Sequence, residues 1–221
     1  MKVLIAAAGS HGDVLPFVAI ARKLQSRGHA VRLFASGNFA ALAREAGVPF
    51  VEVISAEAYR RLLADPDATD PVRGMALLAK AVIDTQRPCL DLLEQAFEPG
   101  RTLLVGSSLA WATRLLGEVK RSPVVTIHLA PSLIRSEHLA PAFGPLGHLE
   151  RAPPVVRRLL WQMMDRRFLG RLFTEPFNRL RAGLGHRCVT LVHEITDVVE
   201  EERGGERRGG ARLHRHDPHL S

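Results

Sequence analysis

The chain has 221 residues, enough for one sizeable core and short for two full domains, and at 46% hydrophobic it has the balance of an ordinary globular protein. Its formal charge is +7, from 30 basic residues, nearly all arginine, against 23 acidic ones. With aromatic residues at 5% and no nucleic-acid-binding motif, a nucleic-acid partner is not expected; an arginine-rich surface that meets anionic lipid or phosphate fits at least as well. Two cysteines, Cys89 and Cys188, are too few and too far apart for a disulfide framework, which points to a reducing, cytoplasmic setting. No apolar run approaches the ~20 residues that cross a bilayer.

Residues 2–8, "KVLIAAA", are apolar without alternation, the pattern of a buried parallel strand. Behind Met-Lys they also resemble a short signal peptide, but Gly-Ser-His-Gly-Asp is a poor cleavage context and the strand reading prevails. Residues 16–27 read as a helix: Pro16 suits its first turn, Phe17, Ile20, Ala21 and Leu24 share one face, and Gly28 stops it. Ala30–Ala35 reads as a second strand, Asn38–Ala46 as a second helix closed by Gly47, and Pro49–Ile54 as a third strand. This βαβαβ alternation predicts an α/β fold, a Rossmann-like doubly wound parallel sheet.

Residues 56–73 are polar and punctuated by Asp and Pro, a long connection or short helices. Residues 74–96 are a helix candidate despite Pro88. "TLLVG" (102–106) is a strand, 109–120 a helix, and "PVVTIH" (123–128) another strand. Leu129–Ala152 is rich in Pro and Gly and reads as a long loop. Residues 155–182 read as helical, with Trp161, Met164, Phe168 and Leu172 at helical spacing; Trp111 and Trp161 read as core rather than sugar platforms. From 199 to 221 the chain turns to Arg/Gly repeats with almost no apolar residue, so a disordered tail is expected. His214, His216 and His219 lie in that tail without a folded frame, so no metal site is expected.

Chemistry is expected where the first strand ends, at Gly9-Ser10-His11-Gly12-Asp13. In a doubly wound sheet ligands sit outside the carboxyl ends of the strands, and the helix that follows points its positive N-terminus at the crevice. The stretch is neither a dinucleotide fingerprint nor a phosphate-binding P-loop, so no nicotinamide, flavin or nucleoside-triphosphate cofactor is expected. A carboxylate here has a use as a base: Asp13 can take the proton of a hydroxyl that attacks an electrophile in the crevice. On the residues alone the leading reading of Asp13 is instead the cap of a helix that begins near Val14. His11 is open to three parts: a second base, a hydrogen-bond partner of Asp13, or a ligand contact.

Three pieces of this half resemble one family: Gly9-Ser10-x-Gly12-Asp13-Val14-x-Pro16, Leu24-x-x-Arg27-Gly28-His29-x-Val31, and Ala46-Gly47-Val48-Pro49-Phe50. "LLVGSSLAWATRLLGE", "VVTIHLAPSLIRSEHLAP" and "RRLLWQMMDRRF" extend the likeness over roughly residues 1–184. The set resembles the N-terminal half of GT-B glycosyltransferases, of the type that includes sterol glucosyltransferases, antibiotic glycosyltransferases and the rhamnolipid rhamnosyltransferases. That resemblance implies two Rossmann-like domains across a cleft, acceptor on the N-terminal one and nucleotide-sugar on the C-terminal one. It implies an inverting hexosyl transfer without metal, with the base at the position of Asp13 and His11 beside it. The acceptor pocket would then be lined by Ser10 and Gly12, by Ser107 and Ser108 after "LLVG", by His128 after "PVVTI", and by Ser132. A lipid or other hydrophobic hydroxyl acceptor is expected, and the arginines and apolar residues of 155–182 make peripheral contact with the inner face of a membrane an additional expectation.

The family's chain runs to about twice this length, and its histidine- and glycine-rich donor motif has no counterpart here. The expected organisation is therefore an acceptor domain over 1–184, a divergent tail over 185–221 and no donor domain, as in a truncated product inactive by itself. The alternative is a non-catalytic acceptor-binding module, or the partner of a separate donor domain.

Overall fold

The structure, a computed structural model, describes residues 1–70, 73–129 and 165–185, with a few positions between 153 and 163. The expected loop over 129–152, with Ser132, falls almost wholly outside the described residues, as do Trp161, Met164 and the tail from 186 onward.

Five strands form one all-parallel sheet: β1 (Lys2–Ala6), β2 (Ala30–Ala35), β3 (Phe50–Glu52), β4 (Thr102–Ser107) and β5 (Val124–Ile127). Their order is β3-β2-β1-β4-β5. The chain winds outward from β1 through β2 to β3, then returns to the other side of β1 for β4 and β5. The reversal lies between β1 and β4, where Ala6 pairs with Gly106 at the carboxyl edge. At such a switch point the connections diverge and leave a crevice.

Alternation along β1 sets the two cores. Val3 and Ile5 face one side, with Val14, Phe17 and Ala21 of α1 (His11–Ser26) and with Phe39 and Ala43. Leu4 and Ala6 face the other, with Val82, Leu90 and Leu93 of α4 (Arg73–Ala96) and Leu115 and Leu116 of α5 (Ala112–Lys120). The doubly wound fold is thus written in the side-chain parity of a single strand.

The main departure from expectation is the start of α1. It begins at His11, with Ser10 as N-cap, and Pro16 lies inside it rather than at its first turn. Two glycines end the early helical segments as expected: Gly28 and Gly47 have φ of 81° and 67°. The second helix is a 3₁₀ turn, Gly37–Phe39, followed by α2 (Ala40–Glu45). The polar stretch after β3 forms α3 (Ala56–Leu63), where the Ser55 hydroxyl accepts the Ala58 N–H at 3.1 Å, and a 3₁₀ turn over Pro66–Thr69. Helix α4 runs through Pro88 unbroken. Pro88 and Asp84 are both exposed, so the carbonyl that loses its partner faces water.

The expected helix over 155–182 is not one regular element. Asp165–Thr174 winds as a wider π-type segment and α6 (Glu175–Gly183) follows, with Pro176 in its first turn, where a missing N–H costs nothing. Of the expected apolar face, Trp161, Met164 and the Phe168 side chain lie outside the described residues, and Leu172 is half-buried. Phe177 is buried, and Phe173 and Phe177 meet the Trp111 ring edge-on at 5.7 and 5.4 Å. Arg181, 4% exposed, makes a bidentate pair with Glu118 at 2.9 and 2.7 Å, tying α6 to α5. Trp111 belongs to the core, as its sequence context predicts.

Gln86, 1% exposed on α4, holds the entry to α5. Its amide donates to the carbonyls of Val82 (2.7 Å) and Leu109 (3.0 Å), and its carbonyl accepts the Ala112 N–H (2.9 Å). Gln86→Leu keeps the volume and orphans groups on both sides. We expect a loss of about 2–4 kcal/mol in urea unfolding, from buried polar groups left without partners; a loss below 1 kcal/mol would mean that the entry to α5 is held by other contacts.

Candidate active site

The site is built where β1 hands over to α1. Gly9 has φ +127°, a conformation that L side chains rarely adopt, and a Cβ placed on it would overlap the Asp13 carboxylate. The missing side chain lets the carboxylate fold back over the turn. Its Oδ2 accepts the Ser10 N–H at 2.7 Å and the Ser10 hydroxyl at 2.9 Å. Asp13 is therefore not the N-cap of a helix that starts at Val14; it is the third residue of α1, and the Ser10 cap region binds one of its oxygens. Both bonds fall on Oδ2. Among the described residues Oδ1 has no hydrogen-bond partner.

His11 is not the partner of Asp13. It is exposed, with its ring edge-on to Phe39 at 4.9 Å, and Phe39 in turn meets Tyr59 at 5.9 Å. Gly12 lies within α1 without a positive φ, so it exposes backbone rather than making the turn. Tyr59, the chain's only tyrosine, donates to the Gly9 carbonyl at 3.4 Å. Burial first, and the nearby Asp13 carboxylate second, raise its pKa above the ordinary value, so it remains a donor. Sequence reading did not single out Tyr59; nothing in the spacing links α3 to the β1–α1 turn.

Across the switch point, Ser107 closes β4 and is buried. Its hydroxyl accepts the Ala8 N–H at 3.1 Å, stitching the ends of β1 and β4 together. Ser108, also buried, lies 3.0 Å from His128 Nδ1, and its carbonyl accepts the Trp111 indole N–H at 2.8 Å. Among the described residues, His128 Nε2 is buried with no hydrogen-bond partner. Arg114 Nε donates to Thr126 Oγ1 at 2.9 Å just before it. Asp13, Ser107, Ser108 and His128 thus line one sheet edge, whereas His11 sits in an aromatic cluster toward β2. Among the described residues no three His, Cys, Asp or Glu side chains converge as a metal site.

Two predictions follow from this geometry. Gly9→Ala combines backbone strain with displacement of the Asp13 carboxylate. A loss of about 1–3 kcal/mol is expected by thermal or urea unfolding, and unchanged stability would show that the turn relaxes freely. The second concerns His128, whose pKa burial first and the Arg114 guanidinium second hold below the ordinary 6.5. The unfolded ring protonates near 6.5 and the folded ring only at lower pH. The stability this neutral ring contributes is complete above pH 6.5 and is lost as pH falls through the folded value. The melting temperature of the native chain should therefore drop more than that of His128→Gln as pH is lowered through 6.5. Parallel pH curves would contradict it.

A doubly wound parallel sheet with its polar residues at the β1/β4 switch point defines a Rossmann-like domain. Residues 3–137 match the glycosyltransferase family 28 N-terminal domain, and the chain belongs to that family. It is 33% identical over 189 residues to glycosyltransferase GtfC of Amycolatopsis orientalis, covering 84% of this chain and 44% of GtfC. Over 98 residues it is 33% identical to sterol 3-beta-glucosyltransferase UGT80B1 of Arabidopsis thaliana, covering 41% of this chain and 16% of that protein. Among solved structures it is similar to the glycotransferase of kitacinnamycin, with a TM-score of 0.55 at 20% identity over 88% of this chain and 43% of the other. The fold is the N-terminal domain of a GT-B glycosyltransferase. The chain spans less than half the length of GtfC. Among the described residues no helix is long and apolar enough to cross a membrane.

Proposed function

We propose that this chain is the acceptor-holding domain of an inverting, metal-independent glycosyltransferase, with Asp13 as the base. The acceptor hydroxyl gives its proton to the Asp13 carboxylate as its oxygen bonds to the anomeric carbon of a nucleotide-sugar hexose. The nucleotide diphosphate leaves from the opposite face with the bonding pair. The donor is held by a second domain that faces this one. The observation that carries the reading is the asymmetry of the Asp13 carboxylate: Oδ2 is fixed by two hydrogen bonds from Ser10, and Oδ1 is left for a substrate proton.

Ser10 and Gly12 border the reacting hydroxyl, Ser108 and His128 line the far side of the crevice, and Ser107 holds the two strand ends in register. His11 acts as an acceptor contact rather than as a relay, since its ring is held against Phe39. Ser132, expected as a further acceptor contact, lies outside the described residues. A hydrophobic or lipid acceptor is supported by the likeness to a sterol glucosyltransferase and by the exposed Val155, Val156, Leu159 and Met163. With the neighbouring arginines, those side chains suit peripheral contact with the cytoplasmic leaflet.

The test joins this chain to the C-terminal half of GtfC and assays transfer with a panel of nucleotide-sugars. Asp13→Asn should lower kcat about 10²–10⁴-fold, the usual contribution of a positioned base, and leave acceptor KM nearly unchanged. Undiminished kcat would remove Asp13 from the mechanism.

A further inference from the structure

A buried imidazole nitrogen without a partner is costly to keep, and among the described residues His128 Nε2 is such an atom, at the carboxyl edge of the sheet. The ring is not loose. Ser108 Oγ holds Nδ1 at 3.0 Å, and Ser108 is itself fixed through its carbonyl by the Trp111 indole. Trp111 is 3% exposed and packed against Phe173 and Phe177, so the orientation of the serine is anchored in the core. The result is a preoriented ring with one committed nitrogen and one that is buried and, among the described residues, unpaired.

We propose that His128, oriented by Ser108, is a second polar subsite of the acceptor crevice that takes a hydroxyl at the far end of an elongated apolar acceptor. This rests on the acceptor-domain reading above and adds the chemistry of the substrate. A hydroxyl suits the site because it serves either ring tautomer. If Ser108 donates to Nδ1, Nε2–H donates to the ligand oxygen; if Nδ1–H donates to Ser108, Nε2 accepts the ligand O–H. The low pKa of the ring keeps it neutral, and the Arg114 guanidinium nearby opposes its protonation. Asp13 follows β1 and His128 follows β5, with β4 between them. Two strand spacings, about 10 Å, separate the ends of β1 and β5 from which the two residues are placed. The acceptor is therefore a rigid apolar body with a reacting hydroxyl at one end and a recognised hydroxyl at the other.

The test uses the full chain and two steroid probes: androstanediol, with a hydroxyl at each end of its four-ring body, and androstanol, which lacks the hydroxyl on the five-membered ring. Binding is measured by calorimetry on the native chain and on His128→Phe, His128→Gln and Asp13→Asn. The native chain should bind the diol roughly tenfold more tightly than the mono-ol, the worth of one hydrogen bond to a buried group. His128→Phe should abolish that ratio, His128→Gln should retain part of it, and Asp13→Asn should leave it in place. Equal affinity for the two probes in the native chain, or a diol preference that survives His128→Phe, overturns the subsite and leaves the acceptor-domain reading standing. Binding of neither probe overturns the hydrophobic-acceptor reading and the subsite together. His128→Gln guards against a folding artefact: if the Phe variant alone loses both probes, the partial ratio in Gln decides.

Discussion

Gly9 has no Cβ, and the space that a Cβ would fill holds the Asp13 carboxylate. From that vacancy the arrangement of the site follows. The backbone at Gly9 turns through φ +127°, Ser10 becomes the N-cap, and its N–H and hydroxyl converge on one carboxylate oxygen. The same few atoms thus start a helix, hold the Asp13 carboxylate and choose which of its oxygens is left without a partner among the described residues.

The sheet supplies the second half of the argument. Because β4 returns beside β1 rather than beside β3, the ends of β1, β4 and β5 lie side by side, and their polar residues share one edge. Ser107 joins the first two ends and Ser108 with His128 joins the last two. On the opposite side of β1, His11, Phe39 and Tyr59 form an aromatic wall, and Tyr59 bonds to the Gly9 carbonyl. The carboxylate is therefore set between a hydrogen-bonding edge and an aromatic one. An acceptor that is apolar along its body and polar at its ends matches such surroundings.

The sheet was legible because its strands are short apolar runs separated by turn glycines, and hydrophobic periodicity is a local signal. The place of Asp13 just after β1 was legible in the sequence. Its hydrogen bonding was not: reading Gly9 through Asp13 as a loop put the start of the helix at Pro16, because Pro in a first turn is a strong signal. The capping residue Ser10 and the tie from Asp13 outweighed it and began the helix at His11. Gln86, Tyr59 and Arg181 escaped for another reason. Each has a hydrogen-bond partner 23 or more positions away, Gln86 to Leu109, Tyr59 to Gly9 and Arg181 to Glu118, and no local pattern marks them. Over 165–182 the winding differs from the single helix expected, a π-type segment giving way to α6 at Glu175, because apolar periodicity does not separate π from α winding.

The central claim is that Asp13 Oδ1 receives the acceptor proton while Oδ2 stays bound to Ser10. A crystal structure of this chain with a bound hydrophobic alcohol tests it most directly. The account predicts the alcohol oxygen within about 2.6–3.2 Å of Oδ1, with the two Ser10 bonds intact. An alcohol bound with its oxygen remote from Asp13, or an Oδ1 turned onto a protein donor and closed to the ligand, would contradict it.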